Sequence, residues 1–118
     1  MVAFHQPLAG VPFDSASVAP AGGGSSSSSG GSSFQWVACN SSKPGRPQQG
    51  DGGGDAPQCW VALTSPQRAQ QLLEAHPLAV GGKFNPQTQQ YQAAVAAELL
   101  ADFRALMQPF SQVRVVSQ

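Results

Sequence analysis

Residues 85–108 read NPQTQQYQAAVAAELLADFRALMQ, the longest stretch of the chain with one clear period. Tyr91, Val95, Leu99, Phe103 and Leu106 recur every three or four residues, so a helix gathers them into one stripe. Leu100 and Met107 widen that stripe, while Gln89, Gln92, Glu98, Asp102 and Arg104 fall mostly off it. Ala93, Ala94, Ala96 and Ala97 add helix propensity. Asn85 suits the N-cap, and Pro86 suits the first helical position, where a missing N–H costs nothing. Pro109 is expected to stop the helix, because it disfavours helical backbone in Gln108 before it. A helix over 86–107 is about 33 Å long. The stripe has two uses, the chain's own core and a docking face. Val95, Leu99 and Phe103 are expected inside the chain, and Tyr91 and Met107, nearer the ends, against a partner.

Upstream, Phe34–Cys39 (FQWVAC) and Cys59–Leu63 (CWVAL) read as strands that share the string Trp-Val-Ala. Antiparallel pairing with Cys39 opposite Cys59 sets Val37 against Val61, Trp36 against Ala62 and Ala38 against Trp60. Side chains alternate along a strand, so Cys39, Val37, Val61 and Cys59 then share one face and both tryptophans the other. Thr64–Ala75 reads as a short helix, with Ser65 as cap and Pro66 in the first turn. Thr64 with Gln67 is the alternative capping pair. His76-Pro77 ends this helix. Leu78–Val80 reads as a short strand or a buried turn, and Gly81-Gly82 permits unusual dihedrals. Phe110–Val116 reads as a last strand, with Val113 and Val115 on one face and Arg114 on the other.

The expected architecture is α+β, a small antiparallel sheet with one short and one long helix, preceded by an extended arm and a Gly/Ser linker. The arm is 1–20, where Val2, Phe4, Leu8, Val11 and Phe13 are apolar anchors among prolines and glycines. The linker is 21–33. The module is 34–118, with a breaker-rich flexible loop at 40–57.

The 118 residues carry 6 Lys and Arg against 6 Asp and Glu, a formal net charge of +0, and only 10% of residues are charged. Neutrality argues against a broad electrostatic footprint on nucleic acid or anionic lipid. No apolar run approaches the roughly 20 residues of a membrane span. MVAFHQPLAGVPF lacks a basic start and a long apolar stretch, so neither an export signal nor a transit peptide is expected and the chain is placed inside the cell, in the cytoplasm. Two cysteines give at most one bridge, and a reducing compartment favours free thiols.

Motifs that carry chemistry are absent. Around Gly82-Lys83 a phosphate loop would need Gly where Pro77 stands and a hydroxyl where Phe84 stands. The glycines at 50–54 precede a strand rather than follow one, so they make no dinucleotide fingerprint. Asp51 and Asp55 in GDGGGD lack the further ligands of a calcium loop, and neither His5 nor His76 pairs with a cysteine at zinc spacing. Glu98 and Asp102 share a helix face, but the polar one. Neither catalysis nor a cofactor, metal or small-molecule substrate is expected.

Residues 58–83, QCWVALTSPQRAQQLLEAHPLAVGGK, resemble the second half of an RNA recognition motif domain: a strand, a helix, then a Gly-Gly-Lys turn. The resemblance implies that the strand stacks bases on aromatic side chains, with Trp60 at one such position. Ala56 and Pro57 stand where a basic residue and Gly belong, and Gln58 and Leu63 where aromatics belong. The pattern looks closer to degenerate, protein-binding versions of that domain. The leading expectation is a non-enzymatic interaction or structural subunit of a larger assembly, docking on protein partners through its arm and its amphipathic helix. Its expected contacts are Phe4, Phe13, Trp36, Trp60, Tyr91 and Met107. The alternative is a degenerate RNA-recognition-motif-like module that binds nucleic acid or protein.

Overall fold

The computed structural model describes residues 1–19, 32–46 and 57–111. The expected loop tip at 47–56, most of the Gly/Ser linker and residues 112–118 lie outside the described residues. The chain forms β1 (Val2–Phe4), β2 (Ser15–Ser17), β3 (Phe34–Cys39), a single 3-10 turn at Asn40–Ser42 and β4 (Gln58–Thr64). Then come α1 (Pro66–Ala75), β5 (Ala79–Val80), β6 (Lys83–Phe84) and α2 (Gln89–Ser111). This is an α+β fold. β1, β4, β3 and β2 lie side by side in that order as one antiparallel sheet, and β5 with β6 forms a separate hairpin.

The arm takes part in that sheet. Val2 pairs with Trp60 and Phe4 with Gln58, while Ser15 pairs with Ala38 and Ser17 with Trp36. Its apolar residues Val2, Phe4, Leu8, Val11 and Phe13 pack on the core. They lie on the chain's own sheet and helix, whereas the sequence reading expected the arm to dock on a protein partner. The two edge strands are only three residues each, too short to be distinguished from loop by periodicity.

The register of β3 and β4 differs by one residue from the expected pairing. Cys39 faces Trp60, Ala38 faces Val61, Val37 faces Ala62 and Trp36 faces Leu63, with a bulge between Phe34 and Trp36. A one-residue slip moves every side chain of a strand to the other face. Trp60 therefore joins Val37 and Cys39 under α2, and Trp36 turns outward. This register is the better solution. It buries the larger apolar load against Phe103, and it gives the Trp60 indole N–H a partner, the Gln58 Oε1 at 3.0 Å. The same Gln58 oxygen accepts the Leu8 N–H at 2.8 Å, which ties the arm to the sheet. Cys39 and Cys59 lie on opposite faces and are free thiols, so the register that would set them opposite each other does not occur.

Phe103 is the centre of the core, fully buried at 0% exposure. Its ring lies 6.0 Å from Phe4, 6.2 Å from Phe34 and 6.2 Å from Trp60. Helix α2 lays its C-terminal half across the sheet: Phe103 and Met107 are buried, and Leu99, Leu106 and Phe110 are half-buried against them. The N-terminal half carries the exposed Ala93, Ala94, Ala96 and Ala97. The core contact thus sits further along the helix than its middle. Val95 is only half-buried, and Met107, expected toward a partner, is 2% exposed.

Both ends of α2 depart from expectation. The helix begins at Gln89, where Thr88 accepts the Tyr91 N–H on its hydroxyl at 3.2 Å and the Gln92 N–H on its carbonyl at 3.0 Å. Asn85 is otherwise engaged: its side-chain amide donates to the Pro77 carbonyl at 2.8 Å, and its backbone N–H donates to Leu78 O at 2.8 Å. At the other end the helix runs through Pro109 to Ser111. Proline removes one hydrogen bond in a helix. Here tertiary contact holds the last turn, because Phe110 packs edge-on against Phe13 at 5.2 Å. The strand expected over 110–116 is therefore helix at Phe110 and Ser111, and its remainder lies outside the described residues.

Helix α1 follows its sequence closely. Ser65 Oγ accepts the Arg68 N–H at 3.3 Å, and Pro66 occupies the first turn. Of the two readings of Leu78–Val80 the strand holds: Ala79–Val80 is β5, exposed, and it pairs with β6 through a tight turn at Gly81 (φ 58°) and Gly82 (φ 74°). Two successive left-handed residues make the two-residue turn that suits the twist of a hairpin.

Candidate interaction surface

The strand β4 reads QCWVALT, with five consecutive apolar residues. Alternation sends Gln58, Trp60 and Ala62 toward α2, and Cys59, Val61 and Leu63 the other way. On β3, Val37 and Cys39 face α2, and Trp36 and Ala38 face away. The outward sides of both strands are therefore apolar. An antiparallel sheet with one solvated face normally carries polar residues there.

Trp36 and Leu63 are direct cross-strand neighbours, 38% and 50% exposed. Around them the outward positions of the edge strands are Ser15, Ser17 and Ala3. Among the described residues no outward-facing strand position carries a charge. This is a contiguous, uncharged patch rather than scattered surface hydrophobics. A second apolar group sits at the hairpin, where Leu78, Val80 and Phe84 are exposed, Phe84 at 77%.

Of the six residues expected as partner contacts, only Trp36 lies open. Trp60 and Met107 are 1% and 2% exposed and belong to the chain's own core. Phe4 stacks on Phe103, and Phe13 packs edge-on to Trp60 at 6.2 Å. Tyr91 is half-buried. Its hydroxyl donates to Leu72 O at 2.8 Å and its ring stacks on His76 at 4.6 Å, joining α2 to α1. Leu63 and the hairpin residues were not among the expected contacts. The signal for Leu63 was present in the unbroken apolar run of β4, which marks a strand with apolar residues on both faces. For Leu78, Val80 and Phe84 no periodic signal exists in strands of two residues.

Several polar side chains join elements of the fold. Arg68 Nη2 meets Glu98 Oε2 at 2.6 Å and bridges α1 to α2, and Ser33 Oγ donates to Asp102 Oδ2 at 2.6 Å, joining the start of β3 to α2. The two carboxylates that share a helix face are thus each engaged separately. Cys59 N–H donates to Ser41 Oγ at 2.9 Å, and its thiol lies near Pro57 O at 3.7 Å. His76 is stacked on Tyr91, with its Nδ1 buried and unpaired. Among the described residues no group of three His, Cys, Asp or Glu is placed to hold a metal ion. Asp51 and Asp55 lie outside the described residues. No helix among the described residues is long and apolar enough to cross a membrane.

No protein-family model, curated protein or solved structure matches the chain.

Proposed function

We propose that the chain is a non-enzymatic interaction or structural subunit of a larger assembly, and that it docks on protein through the outer face of its sheet. The observation that carries this reading is the pair Trp36 and Leu63, side by side and open on a face without charge. Tryptophan is enriched among the anchors of protein interfaces, whose cores are depleted of charged residues. The arm and the C-terminal half of α2, expected to dock elsewhere, are occupied by each other and by the sheet. The hairpin around Phe84 offers a second, smaller contact.

Base stacking by Trp60, implied by the resemblance to the RNA recognition motif, has no support in the position of that ring, which is enclosed by Phe13 and Phe103. Trp36 offers an exposed ring, but among the described residues no outward strand position supplies a cation for phosphate.

Replacing Trp36 by photoreactive benzoylphenylalanine in the cells that make the chain tests the proposal. The expected result is an adduct that protease destroys and ribonuclease leaves intact, lost when Leu63→Glu is added. An adduct destroyed by ribonuclease supports the nucleic-acid alternative instead. The absence of any adduct, with the protein folded, contradicts docking through this face.

A further inference from the structure

Resting on that reading of the outer face, we infer that its partner is a second copy of this chain, paired sheet to sheet about a two-fold axis. The first support is charge. A charge-free face is matched by another charge-free face, and this chain carries one; with a formal net charge of +0, two copies also meet without net repulsion.

The second support is shape. The register orders the outward side chains in levels along the strands. Trp36 and Leu63 form a bulky level at one end. Ala38, itself buried at 7% exposure, and the half-buried Val61 form the next, lower level. Cys59 and Ala3 form a small level at the other end. A two-fold axis lying between the sheets, perpendicular to the strands at the level of Val61, reverses the strand direction of one copy over the other. The axis keeps β3 over β3 and β4 over β4, so Leu63 of each copy covers Cys59 of its mate, Trp36 lies over the end of the mate's β3 beyond Ala38, and the two Val61 side chains meet at the axis. Isologous pairing needs this kind of self-complementarity, and aligned sheets pack about 10 Å apart with interdigitating side chains.

The third support is area, and it sets the strength. Four strands about 4.8 Å apart make a face roughly 19 Å wide, so each copy buries on the order of 500 Å². That total falls in the weak, reversible class of interfaces. The pairing is therefore concentration-dependent rather than obligate.

Sedimentation equilibrium of the full chain, from low micromolar to near-millimolar concentration, tests the pairing. The wild type is expected to pass from monomer to dimer. Leu63→Glu, which buries a charge without a partner in the dimer, is expected to weaken dimerisation about tenfold or more. Phe84→Glu, on the hairpin, is expected to leave it unchanged. A short bismaleimide is expected to join copies through Val61→Cys in a Cys59→Ser background, and not through Gln87→Cys. Circular dichroism reports folding of each variant, with Trp36→Ser as a second disruptive variant should Leu63→Glu misfold.

A wild type that stays monomeric throughout overturns the pairing. So does a dimer that survives Leu63→Glu, or one that only Phe84→Glu abolishes. A monomeric chain whose photoreactive Trp36 position still captures a different protein refutes self-pairing while leaving the docking role of the face intact.

Discussion

Phe103→Ala is expected to lower stability by about 3–5 kcal/mol, the usual cost of truncating a fully buried phenylalanine. The residue touches each part of the fold. Its ring meets Phe4 from the arm, Phe34 from β3 and Trp60 from β4, and its backbone belongs to α2. Truncation leaves a cavity where these elements converge, and three aromatic neighbours cannot all close on it. Small domains are stabilised by roughly 5–15 kcal/mol in total, so a loss of this size takes up much of the margin. Urea unfolding followed by far-ultraviolet circular dichroism measures it. Val95→Ala, on the half-buried N-terminal half of the same helix, is the comparison and is expected to cost about 1 kcal/mol. Equal losses at the two positions contradict a core centred on the C-terminal half of α2.

Gly10→Ala is expected to be the most damaging change in the arm, at about 2–4 kcal/mol. Gly10 has φ +86°, a left-handed conformation that costs an L side chain energy. A Cβ there would also stand 2.5 Å from the backbone oxygen of Phe110, in the last turn of α2. A backbone oxygen cannot rotate aside, so either the arm or the helix end must move. Gly45→Ala isolates the two effects. Gly45 has φ +78° but nothing within 4 Å of an added Cβ, so only the conformational part is expected, about 1 kcal/mol. The two variants are compared by urea midpoint, with hydrogen exchange in the last turn of α2 as local readout. Similar losses at Gly10 and Gly45 contradict the close packing of arm on helix.

The elements governed by local signals were legible in the sequence. The limits of β3, the Ser65 cap and Pro66 of α1, and the apolar stripe of α2 all depend on neighbours within a few residues. What was not legible depends on partners far along the chain. The β3–β4 register turns on the bulge after Phe34 and on which tryptophan finds a hydrogen-bond acceptor beneath α2. Asn85 was a sound N-cap by type, but its amide serves Pro77 across the hairpin and leaves the cap to Thr88. Pro109 signals a helix stop by its chemistry, and the contact of Phe110 with Phe13 outweighs that signal. The same distance explains the candidate surface. The apolar run of β4 announces two apolar faces, but only the register decides that Trp60 goes beneath α2 and Trp36 remains open.

That separation of the two tryptophans is the claim on which the interaction surface rests, and fluorescence quenching by acrylamide tests it most directly. The measurement is made at low micromolar concentration on the wild type and on Trp36→Phe, which retains Trp60 alone. The wild type is expected to contain one readily quenched and one shielded population. Trp36→Phe is expected to keep only the shielded one, with blue-shifted emission. Two tryptophans quenched alike in the wild type, with Trp60 still readily quenched in Trp36→Phe, would place both rings on one open face and contradict the account.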